Sequence, residues 1–289
     1  MSRRLDWDSD GEDWPQRETS RFVVANGLRW HVQVAGQGPV LLLLHGTGAS
    51  THSWRGLMPL LARRFTVVAP DLPGHAFTDP LPSHRLSLPG MAHAVGALSR
   101  ALGLSPDVVL GHSAGAAVLL RMVLDGLIAP RTVVSMNGAL LPFAGWAGLF
   151  FAPMARLMTM TPMVATLFAR RARDVGAVAR LVASTGSVLD AHGLALYQRL
   201  LSSPGHVAGA LDMMARWDLA PLARDLPRLA TPLQLLVAEC DATVDPGEAR
   251  RVTRAVVGAT VTVLSRLGHL AHEEAPERVL EAVLAALRK

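Results

Sequence analysis

Val40 to Leu44 are five consecutive branched apolar residues introduced by Pro39. Five residues are too few to cross a bilayer. A run with no polar face suits a strand buried on both sides of a sheet. Phe65–Ala69, Val108–Leu110, Thr132–Met136, Leu233–Val237 and Thr260–Leu264 read the same way. Helical stretches lie between or after them: Trp54–Arg63, Ser87–Leu102, Ala114–Leu127, Pro246–Val256 and Pro276–Arg288. Strands covered on both faces need helices to cover them. The alternation therefore predicts an α/β fold with a mostly parallel, doubly wound sheet. Ahead of it, Arg21–Ala25 and Arg29–Val34 flank Asn26-Gly27, the turn pair that most strongly signals a hairpin.

One interval breaks the alternation. Between Asn137 and Leu233 lie about 95 residues with helical patterns and no clear strand, too many for a structureless loop. Residues 138–221 are expected to form a helical cap over a core made of 21–137 and 222–289. Residues 1–20 carry Asp6, Asp8, Asp10, Glu12, Asp13 and Glu18 against three arginines and read as a loose acidic arm. The apolar stretch 139–169 is interrupted by Pro142, Pro153, Pro162 and Arg156, which makes it a poor spanning helix.

Half of the 289 residues are apolar and the net charge is +5. The positive charge is almost all arginine, with Lys289 the one lysine and no basic block interleaved with aromatics. Nucleic-acid recognition is not indicated. A single cysteine, Cys240, allows no internal disulfide and fits a reducing compartment. No apolar leader follows Met1-Ser2-Arg3-Arg4, so a cytoplasmic chain is expected, with contact to a membrane surface left open.

Gly111-His112-Ser113-Ala114-Gly115 stands between an apolar strand and a helical stretch, the context a nucleophile elbow requires. A turn this tight excludes side chains at its flanks and lifts the Ser113 hydroxyl clear of the backbone. It also leaves N–H groups at a helix start, where an oxyanion is stabilised. His45-Gly46-Thr47-Gly48 follows another strand and can supply the second donor. The expected oxyanion donors are the N–H groups of Thr47 and Ala114. His269 follows the last strand and is the expected base, with His272 its nearest competitor. Asp241 follows Leu233–Val237 and is the expected partner of His269, with Asp245 as runner-up and turn-cap. The order Ser113, Asp241, His269 suits a serine triad of this strand–helix arrangement.

Other chemistries are disfavoured. There is no phosphate-binding P-loop and no zinc-spaced Cys/His cluster, and Lys289 is a poor Schiff-base candidate. No cofactor and no metal are expected. Cys240 reads as a buried small apolar residue. Met154, Met158, Met160, Met163, Met213 and Met214 pack the cap or line a flexible apolar wall for a large ligand. Arg170, Arg171 and Arg173 either meet carboxylates of such a ligand or face water, with water the preferred reading.

Over residues 21–289 the chain resembles the α/β-hydrolase superfamily. The resemblance rests on Leu42-Leu-Leu-His-Gly46, Pro70-Asp-Leu-Pro-Gly-His75, the Ser113 elbow and Gly268-His-Leu-Ala-His-Glu-Glu-Ala-Pro276. Ala76 stands where a glycine is usual, and the acid strand ends Ala238-Glu-Cys-Asp241 where relatives more often begin with glycine. A narrower resemblance is carried by Asp13-Trp-Pro15, Leu28–Val34, His45–Trp54, Asn137–Phe143 and Trp217–Leu222. These look like the magnesium-chelatase accessory family of bacteriochlorophyll biosynthesis. That resemblance implies a large hydrophobic partner of porphyrin or chlorin type, and magnesium chelatase as a protein partner. The expected function is ester hydrolysis on such a molecule; the alternative is non-catalytic pigment binding and delivery.

Overall fold

The computed structural model describes residues 3–142 and 162–288. Eight strands form one sheet: β1 (Ser20–Ala25), β2 (Leu28–Ala35), β3 (Val40–Leu44), β4 (Thr66–Pro70), β5 (Val108–His112), β6 (Thr132–Met136), β7 (Leu233–Ala238) and β8 (Thr260–Leu264). Their spatial order is β1-β2-β4-β3-β5-β6-β7-β8. The β1–β2 hairpin is antiparallel and β2 is antiparallel to β4; the remaining neighbours run parallel.

The described helices are α1 (Trp7–Asp10), α2 (Leu57–Leu61), α3 (Leu88–Ala101), α4 (Ala114–Leu124), α5 (Pro162–Arg171), α6 (Val175–Ala183), α7 (Ala191–Leu201), α8 (Pro204–Ala215), α9 (Ala220–Asp225), α10 (Glu248–Ala255), α11 (Ala271–Glu274) and α12 (Pro276–Ala286). Successive side chains of a strand point to opposite faces. Leu42 and Leu44 accordingly pack with α3 and α4, while Leu41 and Leu43 pack with α2 and α12. The continuous apolar run is the imprint of a strand with a core on each side.

β8 differs from the expectation of a doubly covered strand. It is the sheet's edge, and its Val263 is 59% exposed. An apolar run in the sequence does not say whether a neighbour arrives on the second side. Among the described residues, no helix is long and apolar enough to cross a membrane.

The arm is fastened rather than loose. Asp6 caps α1 by accepting from the N–H groups of Asp8 and Ser9. Trp14 is 2% exposed, and its indole N–H donates to Thr51 Oγ1 at 3.1 Å. Trp7 and Trp14 each meet Phe77 edge-on with centroids 4.9 Å apart. Arg199 of α7 grips Asp13 through both guanidinium nitrogens, at 2.6 and 2.9 Å. The acidic composition suggested solvation, but two tryptophans outweigh it through apolar burial. Of the cap methionines, Met213 is fully buried. Met154, Met158, Met160 and the side chain of Met163 lie outside the described residues.

Candidate active site

β3 and β5 are neighbours, with Leu44 paired to Gly111. From β3 the chain proceeds to β4 on one side and later to β5 on the other. A crevice opens beyond the strand ends where the direction of winding reverses. Ser113 lies directly past β5 at φ 52° and ψ −120°. Such a backbone costs a non-glycine residue about 1–3 kcal/mol, and surrounding contacts must hold it. A Cβ at Gly111 would lie 2.4 Å from the Ala116 backbone, and one at Gly115 would lie 2.2 Å from Leu44 O. The two glycines are therefore demanded by close backbone approach. Ser113 N–H donates to Met136 O, and Ala139 N–H donates back to Ser113 O. The Ser113 side chain makes no capping bond to α4, which leaves its hydroxyl uncommitted to the helix.

The loop after β3 lies against the elbow. A Cβ at Gly46 would come within 3.0 Å of Ser113 Cβ and 3.1 Å of His112 Nδ1. His45 fixes this loop: its Nδ1–H donates to Gly46 O, and its Nε2 accepts from Leu72 N–H at 2.9 Å. Burial lowers the His45 pKa, in keeping with a neutral ring that must offer one acceptor nitrogen. Ala114 opens α4 directly after Ser113, and Thr47 follows Gly46 in the loop after β3. Among the described residues neither N–H has a protein acceptor.

His269 and Asp241 meet. Nδ1–H of His269 donates to Asp241 Oδ2 at 2.8 Å, and both residues are buried. Asp241 Oδ1 accepts from the N–H groups of Thr243 and Val244, so three bonds set the plane of the carboxylate. Asp245 instead caps its own turn through Gly247 N–H, as a turn aspartate does. His272 is buried between Trp54 and His112, ring centroids 4.7 and 4.6 Å away. Among the described residues its two nitrogens have no hydrogen-bond partner. Burial pushes both His112 and His272 well below the ordinary histidine range, so both are neutral beside His269.

Cys240 corrects the expectation of a buried side chain: it is exposed. Its backbone is what the fold uses, since its N–H donates to Leu267 O at 2.8 Å.

Asn137, His112 and His206 also hold this region together. Asn137, at φ 47°, donates to Gly268 O and His269 O and accepts from Ala238 N–H. It ties the end of β7 to the loop of His269. His112 Nε2–H donates to the same His269 carbonyl at 2.9 Å. From the cap, His206 of α8 accepts from Ala76 N–H through Nδ1 and donates to Gly48 O through Nε2. His112 stands inside the elbow motif and Asn137 in an Asn-Gly pair directly after a strand, whereas His206 had no local signal. Among the described residues no cluster of His, Cys, Asp or Glu is placed to hold a metal ion.

The sequence profile of the α/β-hydrolase fold matches residues 39–276. The chain belongs to the α/β-hydrolase family. The magnesium-chelatase 30 kDa subunit of Rhodobacter capsulatus is 39% identical to this α/β hydrolase over 94% of the chain and 95% of its own length. That degree of identity places the two in one subfamily. Pyrrolizixenacetamide deacetylase of Xenorhabdus hominickii is 29% identical over 86% of the chain and 90% of its own length. A crystal structure of an α/β-hydrolase fold protein from Burkholderia ambifaria superposes with a TM-score of 0.78 at 24% identity. It covers 99% of this chain and all of that one, and shows that the fold is shared.

Proposed function

We propose that the chain is a serine hydrolase of carboxylic-ester type. The observation that carries this reading is the buried His269–Asp241 pair at 2.8 Å, whose loop is tied by His112 to the strained strand-to-helix turn that carries Ser113. In the reaction, Ser113 Oγ attacks the ester carbonyl while His269 Nε2 takes its proton. The N–H groups of Thr47 and Ala114 stabilise the oxyanion. His269 returns the proton to the departing alcohol, which leaves an acyl-Ser113. Water, deprotonated by His269, then releases the acid and restores the serine. Asp241 stays ionised throughout and steadies the imidazolium.

The substrate class is a large hydrophobic molecule, an ester of porphyrin or chlorin type, in bacteriochlorophyll biosynthesis alongside magnesium chelatase. Support comes from the apolar cap over the site and from the name of the 39% identical relative. The workplace is the cytoplasm or the adjoining membrane surface. Labelling with a fluorophosphonate, read by intact mass, tests the chemistry. Wild type should gain one adduct and Ser113→Ala none. A folded wild type that gains no adduct refutes it.

A second reading follows from that relative being named a chelatase subunit. The cap would then bind a porphyrin and deliver it without hydrolysis. Full restoration of pigment synthesis by Ser113→Ala in a strain lacking the wild-type chain would favour delivery over hydrolysis.

A further inference from the structure

His269 and Asp241 stand on loops after different strands. β7 and β8 are paired only up to Ala238 and Leu264, so the sheet's ladder ends before either residue is reached. The loop of the base turns through Arg266 at φ 58° and relies on partners outside itself. Its three consecutive N–H groups are all taken. Gly268 donates to Glu274 Oε1 at 2.9 Å, His269 to Thr185 O at 3.2 Å and Leu270 to Ser187 Oγ at 2.8 Å. Two of these three acceptors belong to the cap, in the turn between α6 and α7.

The same turn reaches the acid. Thr185 O also accepts from Ala242 N–H at 3.2 Å. Gly186, at φ 81°, passes so close that a Cβ would lie 1.9 Å from Cys240 O. On its other side, a Cβ at Gly268 would lie 2.3 Å from the Gly186 carbonyl. The turn is thus wedged between the neighbours of Asp241 and the neighbours of His269, and one carbonyl oxygen bridges both loops. Ser187 is buried, whereas the next side chain, Val188, is 79% exposed.

Building on the hydrolase reading, we propose that Thr185-Gly186-Ser187 is a positioning element of the reaction: it sets the spacing of Asp241 to His269 from the cap side. A bridging carbonyl holds two loops at a fixed separation, and a hydrogen bond at 2.8 Å between acid and base tolerates little drift. The cap is therefore part of the catalytic framework at this turn. Any opening that admits substrate must leave residues 185–187 in place.

The experiment compares wild type, Ser187→Ala, Gly186→Ala and the surface control Val188→Ser. Each is assayed by fluorophosphonate labelling rate and by kcat and KM on a p-nitrophenyl ester. Each is also examined by proton NMR for the far-downfield resonance of the His269 Nδ1–H bonded to Asp241. Ser187→Ala and Gly186→Ala are expected to lower kcat and labelling rate roughly ten- to a hundredfold, as small misplacements of catalytic groups do. KM should stay within about twofold, since a positioning element acts on the chemical step. The downfield resonance should broaden or vanish, and Val188→Ser should match wild type. If Gly186→Ala does not fold, Ser187→Ala carries the test. A wild type that labels beside variants that label equally fast and keep the resonance overturns this proposal alone. Loss confined to KM does the same. A wild type that never labels overturns the hydrolase reading and this proposal with it.

Discussion

His206 Nε2 lies 3.1 Å from the carbonyl oxygen of Gly48, so helix α8 of the cap is hydrogen-bonded to the loop that presents Thr47. One turn later, Gly209 meets Gly74 so closely that a Cβ would lie 2.2 Å from the Gly74 carbonyl oxygen. Another turn on, Met213 sulfur accepts from Thr47 Oγ1 at 3.7 Å. Three residues on one helix face therefore seat α8 on Gly48, Gly74 and Thr47 of the core.

His206→Ala removes one buried and one partly buried hydrogen bond and leaves Ala76 N–H and Gly48 O without these partners. The expected cost is about 2–4 kcal/mol of stability. With the Gly48 peptide released, kcat on a test ester should fall roughly tenfold. Urea unfolding and steady-state kinetics on the same preparation check both.

Burial pushes the His206 pKa down to about 4, against an ordinary value near 6.5. A depressed histidine binds its proton more readily in the unfolded chain. Its contribution to stability is complete above pH 6.5 and is lost as the pH falls toward 4. The shift corresponds to about 3 kcal/mol. Buried His52, His75, His112 and His272 are lowered for the same leading reason and steepen the loss. Denaturant unfolding between pH 7 and pH 4 should therefore show a falling midpoint. His206→Gln should flatten that dependence by about one proton; an unchanged slope would contradict this assignment.

Ser113 keeps φ 52°, which glycine adopts without penalty. Ser113→Gly is expected to be inactive yet about 1 kcal/mol more stable than Ser113→Ala, which retains a Cβ in the strained region. Equal unfolding midpoints for the two variants would show that the elbow stores no strain.

Trp14 anchors the arm against Phe77, Leu196 and Leu200. Trp14→Ala is expected to cost about 3–5 kcal/mol. It should also expose residues 3–19 to limited proteolysis at protein concentrations where wild type resists. Resistance in the variant would mean that the Asp13–Arg199 pair alone holds the arm.

Much of this was legible from local pattern. Val40–Leu44 announced a strand with a core on each face because side-chain alternation is a property of the strand itself. Gly111 and Gly115 announced a turn because glycine is required wherever backbones approach to within a Cβ radius, and the flanking strand and helical stretch named which turn it was. The placing of Asp241 and His269 after successive strands followed from chain order alone. The arm was misread, because six carboxylates dominate its composition while two tryptophans dominate its energetics. Cys240 was misread because burial in a loop depends on what packs over it.

The sequence by itself determined the strands, the elbow and the identity of the candidate acid, base and nucleophile, since each is read from residues within a few positions of one another. Only the tertiary structure decided how those groups are held. Thr185 O reaches Ala242 and His269 across 57 and 84 residues of chain, and His206 reaches Gly48 across 158. A backbone carbonyl has no side chain to leave a motif, and a buried histidine looks like any other. Contacts between distant segments are fixed by how the cap settles on the core, and no local pattern records that.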